Sequence, residues 1–228
     1  MATPKVPAFM RKRPTMGASL LRDTTTDRMD AAFGTADTGI KLAPMSDIED
    51  IDLNEILVWC VRNGVYQVPI TDLVSYLHNI IGGRKAIEIC AGCGIFGKSL
   101  DLPSTDSFLQ DRKEIRAYYD AIGQRPTAPG PHVEKLEAME AVRKYEPEVV
   151  IASWVTQKWE PGDHQASEFG VDEEALLAFP SVKRYIVIGN ERVHGQKRIL
   201  RNSHQKERHP CLISRSADQS QNRIYVWG

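Results

Sequence analysis

A short apolar run that ends in a glycine-rich turn is the feature of this sequence that most constrains its fold. Residues 86–90 read Ala-Ile-Glu-Ile-Cys, and residues 91–94 continue Ala-Gly-Cys-Gly before a further apolar segment. A continuous apolar run of this length, bounded by turn residues, predicts a buried β-strand. Glycine enters positive φ without a steric penalty, so the turn is expected to lead tightly into a helix. The segment therefore predicts the first strand–turn–helix unit of an α/β protein.

Two later segments repeat the pattern of a short apolar run between helical stretches. They are residues 148–153, Glu-Val-Val-Ile-Ala-Ser, and residues 184–189, Arg-Tyr-Ile-Val-Ile-Gly. Such runs are typical of parallel strands that are covered by helices on both faces. Near the C-terminus, residues 210–215 and 222–227 flank a polar stretch and predict an antiparallel hairpin. The predicted fold class is α/β, a Rossmann-like, mostly parallel sheet with helices on both faces and a C-terminal antiparallel hairpin.

The chain divides into three parts by composition. Residues 1–45 contain scattered prolines and glycines and no sustained apolar period, which predicts a flexible tail and a candidate segment for a protein partner. Residues 46–83 contain apolar residues at helical spacing and predict N-terminal helices that pack on the domain. Residues 84–228 hold all the predicted strands and form the α/β domain.

Overall charge and hydropathy exclude some functional classes. The sequence has 29 Lys and Arg residues against 30 Asp and Glu residues, so total charge indicates neither nucleic acid nor an anionic membrane as partner. No apolar run approaches the ~18 residues that a membrane-spanning helix needs. The four cysteines fit a reduced protein, and no secretory signal is recognised, so we expect a cytoplasmic location.

The strand and its turn resemble motif I of the class I methyltransferases that use S-adenosylmethionine (SAM), an apolar strand with an acidic residue followed by Gly-x-Gly. The matching residues are Glu88, Ala91, Gly92, Cys93 and Gly94. The resemblance covers roughly residues 84–228, and motif I is its only specific part. It implies SAM as the cofactor, with Gly92 and Gly94 near its amino-acid group and Glu88 supporting the site.

The resemblance also implies further cofactor contacts at the ends of later strands. Asp106 is the candidate for the ribose hydroxyls, although the helix before it is barely two turns long; Asp101 and Asp111 are substitutes. Glu134 is the candidate near the adenine, after a very short third strand, and Ser153 ends the strand at 148–153. The methyl acceptor stays open between nucleic acid and a small molecule.

Other interpretations of the glycine turn remain open. Gly92, Gly94 and Gly97 also fit the G-x-G-x-x-G spacing of an NAD-dependent oxidoreductase. The domain is alternatively a catalytically silent member of the fold that binds a nucleoside or a protein, or a fold in which the glycines serve only the turn. Cys90 and Cys93 form a C-x-x-C pair without further metal ligands at suitable spacing, which favours buried structural thiols.

The residues that would contact the methyl acceptor, here called the acceptor side of the site, are predicted to lie just after the two later strands. Residues 153–156 read Ser-Trp-Val-Thr and lack the Asn/Asp-Pro-Pro-Tyr/Phe motif of amino-methylating DNA enzymes. A flipped nucleobase could still stack on Trp154 or Trp159, and the equally favoured alternative is that these side chains cover the edge of the core. After the strand at 184–189, polar side chains are candidates for substrate contacts, namely Asn190, Glu191 and Arg192.

Candidate bases and a candidate phosphate-binding segment complete the predicted site. Methyl transfer depends on alignment more than on covalent help, but a general base is sometimes needed, and the candidates are Asp163, His164 and His194. The favoured alternative for each of them is an ordinary loop residue. Residues 192–209 contain six Lys and Arg residues against one Glu. This segment could contact nucleic-acid phosphates, and a solvated loop is the slightly favoured alternative.

Overall fold

A computed structural model describes residues 18–161, 166–167 and 169–228, with side chains described from residue 20 onward. Its single sheet contains seven strands in the order β3-β2-β1-β4-β5-β7-β6. The strands are β1 (Ala86–Ile89), β2 (Ser104–Asp106), β3 (Glu134–Lys135), β4 (Val149–Ser153), β5 (Arg184–Asn190), β6 (Gln205–Glu207) and β7 (Asn222–Trp227). The first five are parallel, and β7 runs antiparallel to both β5 and β6.

The helices cover both faces of this sheet. They are α1 (Ala18–Asp23), α2 (Asp27–Phe33), α3 (Leu53–Asn63), α4 (Thr71–Ile81), α5 (Ile95–Ser99), α6 (Lys113–Ala121), α7 (Ala138–Tyr145), α8 (Glu173–Leu177) and α9 (Glu191–His194). Short 3-10 turns lie at Met45–Asp47, Leu109–Asp111, Arg198–Arg201 and Gln219–Gln221.

The sheet has a hydrophobic core on each face, and alternate side chains of a strand belong to different cores. Val149 and Ile151 of β4 pack with α2 to α5, whereas Val150 and Ala152 pack with α7 and α8. Successive side chains of a strand point to opposite faces, so a run buried on both sides reads as continuously apolar. The predicted fold class is confirmed.

The flexible-tail prediction does not hold for residues 18–45. Met29 and Phe33 of α2 are fully buried, and the Phe33 ring lies 5.6 Å from the ring of Trp59 on α3. The Trp59 indole N–H donates to the Gly34 carbonyl oxygen at 3.0 Å. A helix as short as α2 contributes two core side chains, which is too few for a detectable apolar period. The prediction for residues 1–17 lies outside the described residues.

The C-terminal hairpin is present, but one of its predicted strands is wrong. β7 pairs with β6 at residues 205–207 rather than with residues 210–215. The latter segment crosses to the N-terminal helices, where the Val68 N–H donates to the Ile213 carbonyl oxygen at 2.8 Å. Leu212 is buried in the same core. β6 is exposed along its length, and the polar residues of such an edge strand carry no strand pattern.

Among the helices of the described residues, none is both long and apolar enough to cross a membrane.

Candidate functional site

A cavity of about 620 Å³ lies at the carboxyl ends of the parallel strands. This is where ligands bind in open α/β sheets, and the volume falls within the range of small-molecule sites. The sequence-predicted residues that line it are Glu88, Ala91, Gly92, Cys93, Asp106, Ser153, Trp154, Arg192 and His194. Those that do not line it are Gly94, Glu134, Trp159, Asn190 and Glu191. Asp163 and His164 lie outside the described residues.

The glycine turn forms the floor of the cavity and is covered by the loop at residues 126–133. Gly92 has φ +52°, and a Cβ there would lie 2.6 Å from the Thr127 Cγ2 atom. The Thr127 hydroxyl donates to the Gly64 carbonyl oxygen, which holds the loop in place. The positive φ and the close approach of the loop therefore favour glycine at position 92, and a larger residue there would strain the fold.

Glu88 is buried beneath the turn and is 2% exposed. Its carboxylate accepts hydrogen bonds from the Gly97 N–H at 2.8 Å and from the Ser104 hydroxyl at 3.1 Å. Desolvation nevertheless raises the pKa of Glu88 to about 7. A Cβ on Gly97 would overlap Ser104 and lie 2.7 Å from the Glu88 Oε2 atom. The third glycine of the G-x-G-x-x-G spacing thus serves the packing of α5, and the spacing by itself does not select a dinucleotide.

Asp106 stands at the carboxyl end of β2 and joins the second strand to the glycine turn. One carboxylate oxygen accepts from the Gly92 N–H at 2.9 Å, and the other accepts from the Phe108 N–H at 2.7 Å. Burial raises the pKa of this carboxyl group above its usual value. Each oxygen keeps a further lone pair for a ligand hydroxyl.

The two substitutes proposed for Asp106 are placed elsewhere. Asp111 forms an ion pair with Arg116 at 2.5 Å on the surface, and Asp101 is exposed. Neither lines the cavity. Among these three acids, Asp106 alone has its carboxylate at the glycine turn.

Glu134 is turned away from the cavity toward α7. Its carboxylate accepts from the Lys144 ammonium at 2.5 Å and from the Tyr145 hydroxyl at 2.6 Å. The predicted adenine contact is therefore not found in this geometry, because β3 has only two residues and its glutamate binds the next helix. Phe108, which has φ +58° and lines the cavity beside Asp106, is the aromatic residue that sequence reasoning missed on this side.

Trp154 directly follows β4 and is held between two other rings. Its ring centroid lies 5.8 Å from that of Tyr66 and 5.3 Å from that of His194. Its backbone has φ +57°, and its N–H donates to the Ile188 carbonyl oxygen at 2.8 Å. Trp154 thus lines the cavity, and its contact with an acceptor stays a prediction, whereas Trp159 is 48% exposed and lies off the cavity.

His194 lines the cavity but is not placed to act as a base. It is 3% exposed, and its Nδ1 atom accepts a hydrogen bond from the Asn190 N–H at 2.9 Å. Burial, reinforced by the positive charge of Lys197, lowers the pKa of His194 to about 3. The imidazole is thus neutral, and the nitrogen that would take a proton is already bonded.

Two of the predicted substrate contacts after β5 have structural roles. Asn190 is fully buried, accepts from the Arg192 N–H at 3.1 Å and donates to the Asn222 side chain at 2.8 Å. Glu191 pairs with Lys206 at 2.6 Å and with Arg223 at 2.7 Å. These contacts attach α9 to the terminal strands, which leaves Arg192 as the side chain of this trio that lines the cavity.

The basic segment 192–209 is partly neutralised within the fold. Lys197 pairs with Glu173, Arg198 with Glu160, and Lys206 with Glu191. Half of its six cations therefore have carboxylate partners, and its contact with nucleic acid stays a prediction. Cys90 and Cys93 are free thiols whose pKa values are raised by burial, that of Cys93 to about 11.

Comparison with known proteins finds a likeness among solved structures. No protein family matches the chain, and no curated protein matches it. Among solved structures, the crystal structure of the Thermoplasma acidophilum protein 1320 is 13% identical to this chain. The match covers 92% of this chain and 96% of that one, with a TM-score of 0.33.

Proposed function

We propose that the chain is a SAM-dependent methyltransferase. The observation that carries the proposal is the hydrogen bond between Gly92 and Asp106, which joins the glycine turn after β1 to an acid at the end of β2 on the wall of one cavity. This is the pairing of elements that the resemblance to motif I implies. The reversed β7 between β5 and β6 also fits the terminal antiparallel pair of that family's layout.

Residues of the cavity suit the parts of such a cofactor. The backbone of the turn at 91–93 offers close approach to an amino-acid group, and Asp106 has lone pairs for the ribose hydroxyls. Phe108 gives an aromatic face beside Asp106 for a purine. SAM, when bound, supplies a methyl group on a positively charged sulfur.

Catalysis in this cavity would depend on alignment of the acceptor. His194 is neutral with its Nδ1 atom occupied, so this histidine is not placed to act as a base. Positioning alone contributes strongly to a reaction between two bound partners. We therefore expect an acceptor that is already nucleophilic or that releases its proton to water.

The four cysteines are free thiols, which is consistent with the cytoplasmic location that we propose for such an enzyme. The test of the proposed function is calorimetric titration of the full chain with SAM and S-adenosylhomocysteine, with NADH as the control ligand. We expect both adenosyl compounds to bind and NADH not to bind. Binding of NADH alone would favour the oxidoreductase, and binding of none of the three would overturn the proposal.

Variants of two aspartates sharpen this test. Asp106→Ala is expected to weaken SAM by about 1–3 kcal/mol, or about 5- to 150-fold, through loss of hydrogen bonds to a charged acceptor. Asp111→Ala is the matched control, because its carboxylate pairs with Arg116 at the surface. Thermal unfolding of each variant separates lost binding from lost folding. Equal SAM affinity in the two variants would contradict the ribose assignment.

A further inference from the structure

Aromatic side chains from separate parts of the chain form one cluster beyond the end of β4. Tyr66, from the loop between α3 and α4, faces the Trp154 ring at 5.8 Å. The Tyr66 hydroxyl shares a hydrogen bond of 2.7 Å with the hydroxyl of Tyr119 on α6. All three residues line the cavity, so this cluster presents ring surface to whatever enters it.

Arg215 is fixed against this cluster. Its guanidinium carbon lies 4.1 Å from the centroid of the Tyr66 ring, and its Nη2 atom donates to the Gln124 side-chain oxygen at 2.6 Å. Its backbone N–H also donates to the Tyr66 carbonyl oxygen at 3.0 Å. These contacts hold the half-buried side chain in one orientation on the cavity wall.

The charge of Arg215 is not neutralised by the protein. In the part of the chain that the structure describes, no carboxylate forms an ion pair with Arg215, and none forms one with Arg192, which lines the same cavity. By contrast, Lys197, a third cation of the lining, pairs with Glu173 at 2.6 Å. Arginine suits the recognition of carboxylate and phosphate groups, and an unpaired, partly desolvated charge favours an anionic ligand.

The carboxylates of the lining do not compete for this charge. Glu88 binds the Gly97 N–H and the Ser104 hydroxyl, and Asp106 binds the Gly92 and Phe108 N–H groups. Both lie toward β1 and β2, whereas Trp154 follows β4. The cavity thus has an acidic side at the glycine turn and a cationic, aromatic side at Tyr66 and Arg215.

We propose that the cationic, aromatic side of the cavity binds a small aromatic anion, with its ring against Tyr66 and Trp154 and its carboxylate or phosphate on Arg215. Resting on the proposed function, this anion is the methyl acceptor. The volume of about 620 Å³, which a cofactor would share, fits an acceptor group of small-molecule size.

The first experiment is a calorimetric comparison of anions with their neutral counterparts. The pairs are benzoate with benzamide, 1-naphthoate with 1-naphthamide, and AMP with adenosine, each titrated into the full chain with and without S-adenosylhomocysteine. We expect at least one anion to bind at least tenfold more tightly than its neutral counterpart. Preference within the carboxylate pairs identifies a carboxylate acceptor, and preference within the AMP pair alone identifies a phosphate. No preference in any pair would overturn the proposal.

Arginine variants test whether Arg215 causes the preference. Arg215→Gln is expected to weaken the preferred anion at least tenfold and to leave its neutral counterpart within twofold. Arg208→Gln is the matched control, because Arg208 is exposed in a neighbouring segment and does not line the cavity. Equal loss of the anion in the two variants, or equal loss of the anion and its neutral counterpart in Arg215→Gln, would overturn the assignment. Thermal unfolding of both variants confirms that each is folded.

SAM titrations of the same proteins keep the two proposals separate. An anion that binds through Arg215 without any binding of SAM would refute methyl transfer and retain the anion site. Binding of SAM with no anion preference would retain the proposed function and refute the anion site.

Discussion

Lys197 and Glu173 form an ion pair of 2.6 Å in which the two side chains are only 5% and 2% exposed. The same Glu173 oxygen also accepts the Tyr185 hydroxyl at 2.8 Å. The pair connects the segment after α9 to the start of α8, and Lys197 itself lines the cavity. Because both charges are buried, the folded state depends on each charge neutralising the other.

Removal of one partner of this pair is expected to be severe. Lys197→Met leaves a buried carboxylate unpaired and should lower the free energy of unfolding by about 3–5 kcal/mol, as measured by urea titration. The double variant Lys197→Met/Glu173→Gln should recover part of this loss. Lys206→Met, which breaks the more exposed pair with Glu191, is the control and should cost no more than about 1 kcal/mol. Similar losses in the two single variants would contradict the interpretation.

His194 predicts a loss of stability in acid. The folded pKa of about 3 lies below the ordinary value of 6.5, so the unfolded chain binds more protons as the pH falls below 6.5. Between pH 7 and pH 5 this residue alone should cost about 2 kcal/mol. His194→Asn does not titrate and retains an acceptor for the Asn190 N–H, so its stability should fall less over this interval. Urea titrations of both proteins at the two pH values check this. An equal change in the free energy of unfolding between pH 7 and pH 5 for the two proteins would refute it.

Glu88 predicts the opposite dependence on pH. Its folded pKa of about 7 lies above the ordinary 4.5, so its protonated form stabilises the fold fully below pH 4.5, and that contribution is lost as the pH rises through 7. Glu88→Gln keeps an oxygen for the Gly97 N–H and removes the titration. The variant should therefore gain stability relative to the native chain between pH 5 and pH 8, by about 2–3 kcal/mol. A constant difference across this range would contradict the pKa assigned to Glu88.

Phe33 tests whether the N-terminal helices belong to the fold. Phe33→Ala removes a fully buried ring that packs on Trp59 and should lower the free energy of unfolding by about 3–5 kcal/mol. Thermal or urea unfolding measures this loss. Leu53→Ala is the control, because Leu53 is 38% exposed and its truncation should cost much less. A loss below about 1 kcal/mol for Phe33→Ala would indicate that α2 is dispensable.

The sequence predicted those features of the fold and of the cavity that depend on residues adjacent in the chain. The continuous apolar runs of β1, β4 and β5 were recognisable because both faces of each strand are buried. Gly92 and Asp106 were recognisable for a related reason, since Gly92 lies in the turn after β1 and Asp106 ends β2, at the edge of the sheet that lines the cavity.

Features that depend on distant packing were not accessible from local patterns. Tyr66 and Arg215 reach the cavity from loops without motifs, and their side chains meet only in the folded chain. Glu134 is acidic and follows the expected loop, but a bond to Tyr145 turns it away. Residues 210–215 have a strand-like apolar pattern because they pack on the N-terminal helices rather than in the sheet.

The contact between the two loops that carry Tyr66 and Arg215 has a consequence for synthesis of the protein. Gln67 donates to the Ile213 carbonyl oxygen across 146 residues of sequence, at 2.8 Å. The wall of the cavity that carries Tyr66 and Arg215 is therefore absent until the ribosome has made residue 215. A growing polypeptide that already contains the glycine turn and Asp106 still lacks Arg215, so the proposed anion site forms later in synthesis than the proposed cofactor site.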